Sequence, residues 1–77
     1  MKNELISIMS EVFETNLKEI DGDIKQENIE NWDSLSHLTL VVELEEFFSV
    51  SFEPDEISEM NSIQKIQNIL QKKKNAE

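Results

Sequence analysis

Ser34 stands between Asp33 and Leu35, three residues before His37, the one histidine of the chain. A serine hydroxyl becomes a nucleophile when a base takes its proton and an oxyanion hole receives the developing charge. Only His37 could be that base, and spacing along a shared helix turns it toward the core side, so a triad is not expected. With no cysteine in the chain there is no thiolate nucleophile, no disulfide and no thiol of its own. A lone histidine without a cysteine or second histidine is a poor metal site, and no metal is expected. Asp21-Gly22-Asp23 invites comparison with a calcium loop, but that register puts Lys25 at position five, Gln26 where glycine is required and Trp32 where a bidentate glutamate is required. By residue type alone, what remains for Ser34 is a helix cap.

The elements that must hold this serine are helical. One Gly and one Pro leave little turn chemistry for hairpins, and no segment keeps a strict apolar/polar alternation. Residues 3–17 place Leu5, Ile6, Ile8, Met9, Val12, Phe13 and Leu17 on one arc, which predicts a first amphipathic helix. From Lys18 to Trp32 the periodicity fades around Asp21-Gly22-Asp23, while Ile20, Ile24, Ile29 and Trp32 remain as apolar anchors of a long ordered loop. Asp33 or Ser34 offers an N-cap for a second helix, Leu35 to Phe48. A short third helix is predicted from Pro54 to Met60, with Pro and acids in its first turn. Asn61 or Ser62 can cap a last helix carrying Ile63, Ile66, Ile69 and Leu70, with Lys72, Lys73 and Lys74 near its end and a frayed tail after Lys73.

At about 100° per residue the second helix has three faces. Leu40, Val41, Leu44, Phe47, Phe48 and His37 form the expected core arc, and Ser36, Thr39, Glu43 and Glu46 the polar side. Between them runs a stripe of Ser34, Leu35, Leu38, Val42 and Glu45, which a helix needing only a core would not require. The stripe is either the edge of a wide buried arc or a docking surface whose acids steer a basic partner.

Seventy-seven residues fill one apolar core, so residues 1–77 are expected to form a single domain without a deep catalytic cleft. Between residues 26 and 64 there are ten acids and no Lys or Arg, whereas the rest of the chain balances seven acids with seven lysines. The net charge of −10 thus sits in one central block. Direct binding to nucleic acid or to an anionic membrane is not expected, and a basic protein partner is. The opening segment has Glu4 among its apolar residues, unlike a signal peptide, and no stretch approaches the roughly 20 apolar residues of a membrane span. A cytoplasmic location follows as the expectation.

Asn31-Trp32-Asp33-Ser34-Leu35, followed by an amphipathic helix ending Leu44-Glu45-Glu46-Phe47-Phe48, resembles the acyl carrier protein family. Asp33, Ser34 and Leu35 match its D-S-L signature, and the likeness runs on through Pro54-Asp55-Glu56 and Met60 to the helix that starts at Ile63. The resemblance implies an all-α four-helix bundle with a long loop between helices one and two and a short third helix. It implies a noncatalytic carrier: a phosphopantetheinyl transferase, using coenzyme A and Mg²⁺, joins a 4′-phosphopantetheine arm to Ser34 as a phosphodiester. The arm's thiol then holds acyl groups as thioesters for acyl-activating, acyltransferase or synthase enzymes of fatty-acid, polyketide or other specialised biosynthesis. Asp33 would orient the helix start and Leu35 would fill a partner's pocket. Leu38, Val42, Glu45 and Glu46 align with partner-recognition positions, and Glu53, Asp55, Glu56 and Glu59 would extend the acidic surface of a monomeric carrier. Leu44, Phe48, Ile57, Met60 and Ile66 could line a shelter for cargo as well as form plain core.

Ser36 and Thr39 stand where primary fatty-acid carriers usually have acids, Trp32 replaces a small or aliphatic residue, and Glu53 is an extra residue before Pro54. These departures resemble dedicated carriers that serve one pathway. Two alternatives stay open: an acidic interaction module that is never modified, and a carrier of amino or aryl acids.

Overall fold

Leu5, Met9 and Phe13 recur every fourth residue and are fully buried, which makes Lys2–Phe13 the first helix, α1. The computed structural model describes residues 2–75. α1 stops short of Leu17, where the apolar periodicity extends it. Glu14 takes a left-handed backbone (φ 52°), and the Thr15 N–H donates to the Ser10 carbonyl at 3.1 Å, the bond that closes a helix C-terminus. Leu17 is still fully buried, but in a separate 3-10 turn, Leu17–Glu19, whose first N–H donates to the Ser10 hydroxyl at 3.2 Å. Spacing of apolar residues reports burial and is blind to such a break.

The following loop is pinned by buried Ile24, Ile29 and Trp32 and contains a second 3-10 turn, Gln26–Asn28. Ile20, expected as a further anchor, is 39% exposed. It lies in extended backbone just past the first 3-10 turn and lines a surface groove with Ile6 and Lys18. Midway, the loop pairs with the approach to the last helix: Gln26 N–H donates to the Asn61 carbonyl at 2.9 Å and Ile63 N–H to the Ile24 carbonyl at 2.8 Å. Asp23 completes the joint by accepting from Gln64 N–H at 3.1 Å.

The second helix, α2, spans Ser34–Phe48 and buries Leu40, Val41, Leu44 and Phe48. Phe47, expected on that face, is 57% exposed. It lies at the edge of the arc, beside a surface groove lined on the other side by α1, and meets the Phe48 ring edge-on, with centroids 4.9 Å apart. Ser49 ends α2 in a left-handed conformation (φ 55°). The short α3, Pro54–Glu59, starts at Glu53 and stops at Met60. Then α4, Ile63–Asn75, buries Ile63, Ile66 and Leu70 and runs past Lys73, where fraying was expected; residues 76 and 77 lie outside the described ones. Ser62 begins it, accepting from Lys65 N–H at 3.2 Å.

The buried side chains of α1, α2, α4 and the connecting segments form one apolar cluster, against which α3 packs its half-buried Ile57. No strand occurs among the described residues, so the class is all-α. No helix among them is long and apolar enough to cross a membrane.

Candidate functional site

Ser34 is the first residue of α2, exposed, and its hydroxyl takes no hydrogen bond from or to another described residue. Its freedom follows from its neighbours doing the capping. Asp33 is the N-cap and accepts from Ser36 N–H at 2.9 Å, while Ser36 Oγ accepts from Asp33 N–H at 2.9 Å and donates to the Asn31 carbonyl at 2.6 Å. This is a capping box with serine in the place of the usual Glu or Gln. The Ser36 backbone N–H, and after it the Ser36 side chain, hold the Asp33 carboxyl below the usual carboxylate range. Ser36, read from the sequence as a polar-face residue and a departure from the family's acid, is therefore structural. The signal that could have found it is the D-x-x-S spacing.

Behind this turn the backbone is clamped. The Asn31 amide donates to the Phe13 carbonyl at 2.8 Å, and Gln26 Nε2 donates to the Trp32 carbonyl at 3.2 Å. The Trp32 indole stacks on Phe13 with centroids 4.7 Å apart, and its Nε1–H donates to His37 Nδ1 at 2.9 Å. An accepting Nδ1 requires the proton of a neutral ring to sit on Nε2, which lies 2.8 Å from the Ile57 carbonyl of α3. Both nitrogens of His37 are thus committed. His37 joins the loop, α2 and α3, and neither of its nitrogens is free to serve Ser34. The sequence placed His37 on the core side of α2 but gave no sign of its two partners, since one of them lies twenty residues away.

In front of Ser34 the stripe is open. Leu35, Leu38 and Val42 are 77%, 57% and 52% exposed. Three aliphatic side chains in succession along one flank of a helix, each more than half in water, form an apolar strip rather than the isolated exposed residues common on any surface. The acids expected to flank it divide into two groups. Glu46, Glu53, Asp55 and Glu59 are exposed. Glu45 is half-buried, with its carboxylate accepting from Phe52 N–H at 2.9 Å. Glu56 Oε1 accepts from Glu53 N–H at 2.8 Å and pairs with Lys73 Nζ at 2.7 Å, an ammonium that also lies 5.7 Å from the Phe52 ring centroid. The Glu53 N–H first, and Lys73 second, hold the Glu56 carboxyl below its ordinary value. Glu45 and Glu56 therefore brace the segment around α3, while the other acids face solvent.

Of the residues considered for sheltering cargo, Leu44, Met60 and Ile66 are fully buried, Phe48 is buried and Ile57 is half-buried. Among the described residues no cluster of three or more His, Asp or Glu side chains could hold a metal ion. Set against family models, curated proteins and solved structures, the chain gives no match.

Proposed function

We propose that the chain is a noncatalytic acyl carrier whose Ser34 accepts a 4′-phosphopantetheine arm. The observation that carries this reading is an exposed serine at the first position of a helix, with its hydroxyl free and an uncovered apolar strip directly beside it. The residues around Ser34 fit the group. The first turn of α2 leaves the Ser34 N–H without an intrahelical partner, and the positive end of the helix suits a phosphodiester. A separate enzyme can reach the exposed hydroxyl, and the commitment of His37 leaves the proton to be taken by that enzyme. When bound, the arm supplies the thiol that a cysteine-free chain lacks and holds acyl groups as thioesters.

In this reading Asp33 and Ser36 fix the turn, and Leu35, Leu38 and Val42 bury themselves in the transferase and in the acyl-activating, acyltransferase or synthase partners. Glu46, Glu53, Asp55 and Glu59 steer basic patches toward that contact. The departures at Trp32, Ser36, Thr39 and Glu53 favour a dedicated carrier of one cytoplasmic pathway over the general fatty-acid carrier. The structure gives the departures at Trp32 and Ser36 a local use, in the indole clamp and the serine capping box.

Incubation with coenzyme A, Mg²⁺ and a broad-specificity phosphopantetheinyl transferase is expected to add one arm, read by intact mass, and Ser34→Ala to add none. Failure of several transferases to modify the folded chain would overturn the carrier reading. The uncovered strip would then favour an unmodified docking module, whose partner binding survives Ser34→Ala and is lost in Leu38→Ala. Which acid-activating enzyme loads the holo chain separates acyl from amino or aryl cargo.

A further inference from the structure

The flank of α2 turned away from the Ser34 stripe carries a second exposed apolar side chain, Phe47, which none of the roles above uses. At about 100° per residue, Phe47 and Glu43 lie on the far side of α2 from Leu38 and Val42. There a surface groove runs between α1 and α2, with Ile8 on one wall and Phe47 on the other. Glu11 and Glu43 line it, Glu14 stands at one end, and Lys18 is the one lysine along it. An aromatic ring more than half in water, facing a half-buried isoleucine, with acids outnumbering the single lysine among neutral polar residues around it, has the composition of an apolar anchor point with steering charges.

We propose that this groove is a second docking surface, and that its occupant is a basic amphipathic helix of a partner protein. A helix fits because the groove lies between two packed helices and offers an apolar anchor, Ile8 and Phe47, with charged residues on its flanks, as in the binding of helices in grooves. The rim selects Lys and Arg on the flanks of that helix, against Glu11, Glu14 and Glu43. A second copy of this chain is disfavoured, since each copy carries a net charge of −10 and would bring the same acids. A helix seated here leaves the head of α2 uncovered. If the chain is a carrier, one partner could therefore hold it by the groove while an enzyme works at Ser34; that consequence rests on the carrier reading, and the docking itself does not.

The probe is a synthetic amphipathic helix of Leu and Lys, titrated into the isotope-labelled full chain at low salt. Amide shifts are expected at Ile8, Glu11, Glu43 and Phe47. Phe47→Ser and Glu43→Lys should each weaken that binding at least about tenfold, and added salt should weaken it further. Phe47 and Glu43 are both exposed, so far-UV circular dichroism should show either variant folded; should Phe47→Ser unfold, Glu43→Lys alone decides. The proposal is overturned if shifts fall instead on Leu35, Leu38 and Val42, with Leu38→Ser abolishing binding. It is equally overturned if neither groove variant matters, if a Leu and Glu peptide binds as well, or if sedimentation shows the chain pairing with itself through Phe47. Mass addition at Ser34 is scored separately, so either reading can fail without the other.

Discussion

The heads of α2 and α3 are built from the same device and put to different uses. Both start with a box in which the N-cap residue and the residue three later satisfy each other, Asp33 with Ser36 and Glu53 with Glu56. At α3 the box is tied to another helix: α3 begins at Pro54, and the Glu56 carboxylate is occupied by Lys73 of α4. At α2 all the bracing comes from behind, through Trp32, His37, Asn31 and Phe13, and the first residue is a serine with a free hydroxyl. A helix start is left open when its neighbours have absorbed the capping, and that separates Ser34 from a serine that caps a helix itself.

Removing the brace behind α2 should have the largest effect. Trp32→Ala deletes a buried indole stacked on Phe13 and should destabilise by about 3–5 kcal/mol in urea unfolding, with α3 loosened as well because His37 loses its donor. His37→Ala leaves the indole N–H without its acceptor and should cost about 1–3 kcal/mol. If its effect matched that of breaking the α3 brace, the contrast between the two heads would collapse. Lys73→Ala removes a partly exposed ion pair and should cost under about 1 kcal/mol, an effect that shrinks as salt rises.

A smaller effect tests the two carboxylates by acid. Asp33 and Glu56 both have lowered folded-state values, so each contributes stability that is present above its unfolded value and lost as pH falls through the folded one. Wild type should therefore lose its advantage over Asp33→Asn as pH is brought from neutral to below the ordinary Asp value of about 3.9, followed by melting temperature. Salt should leave this difference nearly unchanged, because Ser36, a neutral donor, holds Asp33; for Glu56→Gln the difference should shrink, because Lys73 contributes. Equal salt responses would mean that the two heads are alike. The smallest expected change is a gain: Glu14→Gly relieves a left-handed residue at the end of α1 and should raise stability by up to about 1 kcal/mol.

Much of this architecture was legible without coordinates, because helix formation follows local rules. Every fourth residue from Leu5 to Phe13, the cap at Asp33, Pro54 at the head of α3 and the lysines ending α4 are short-range signals, each acting within a turn or two. The position of Ser34 at the start of α2 and the stripe beside it follow from the same periodicity.

Tertiary structure alone decided which of those surfaces are covered and which polar groups are occupied. Leu38 and Phe47 are both apolar residues of α2, and nothing in their spacing says that both remain in water, since that depends on how closely α1 and α3 approach. Glu45 and Glu46 look equivalent in the acidic block, yet one carboxylate is tied to Phe52 and the other faces solvent. His37 is drawn to Ile57 from twenty residues away, and Asp23 to Gln64 from forty-one. Pairings at such separations are set by the packing of the whole core. Local rules placed Ser34 and, through the Asp33–Ser36 box, left its hydroxyl free; only that packing left the strip beside it uncovered.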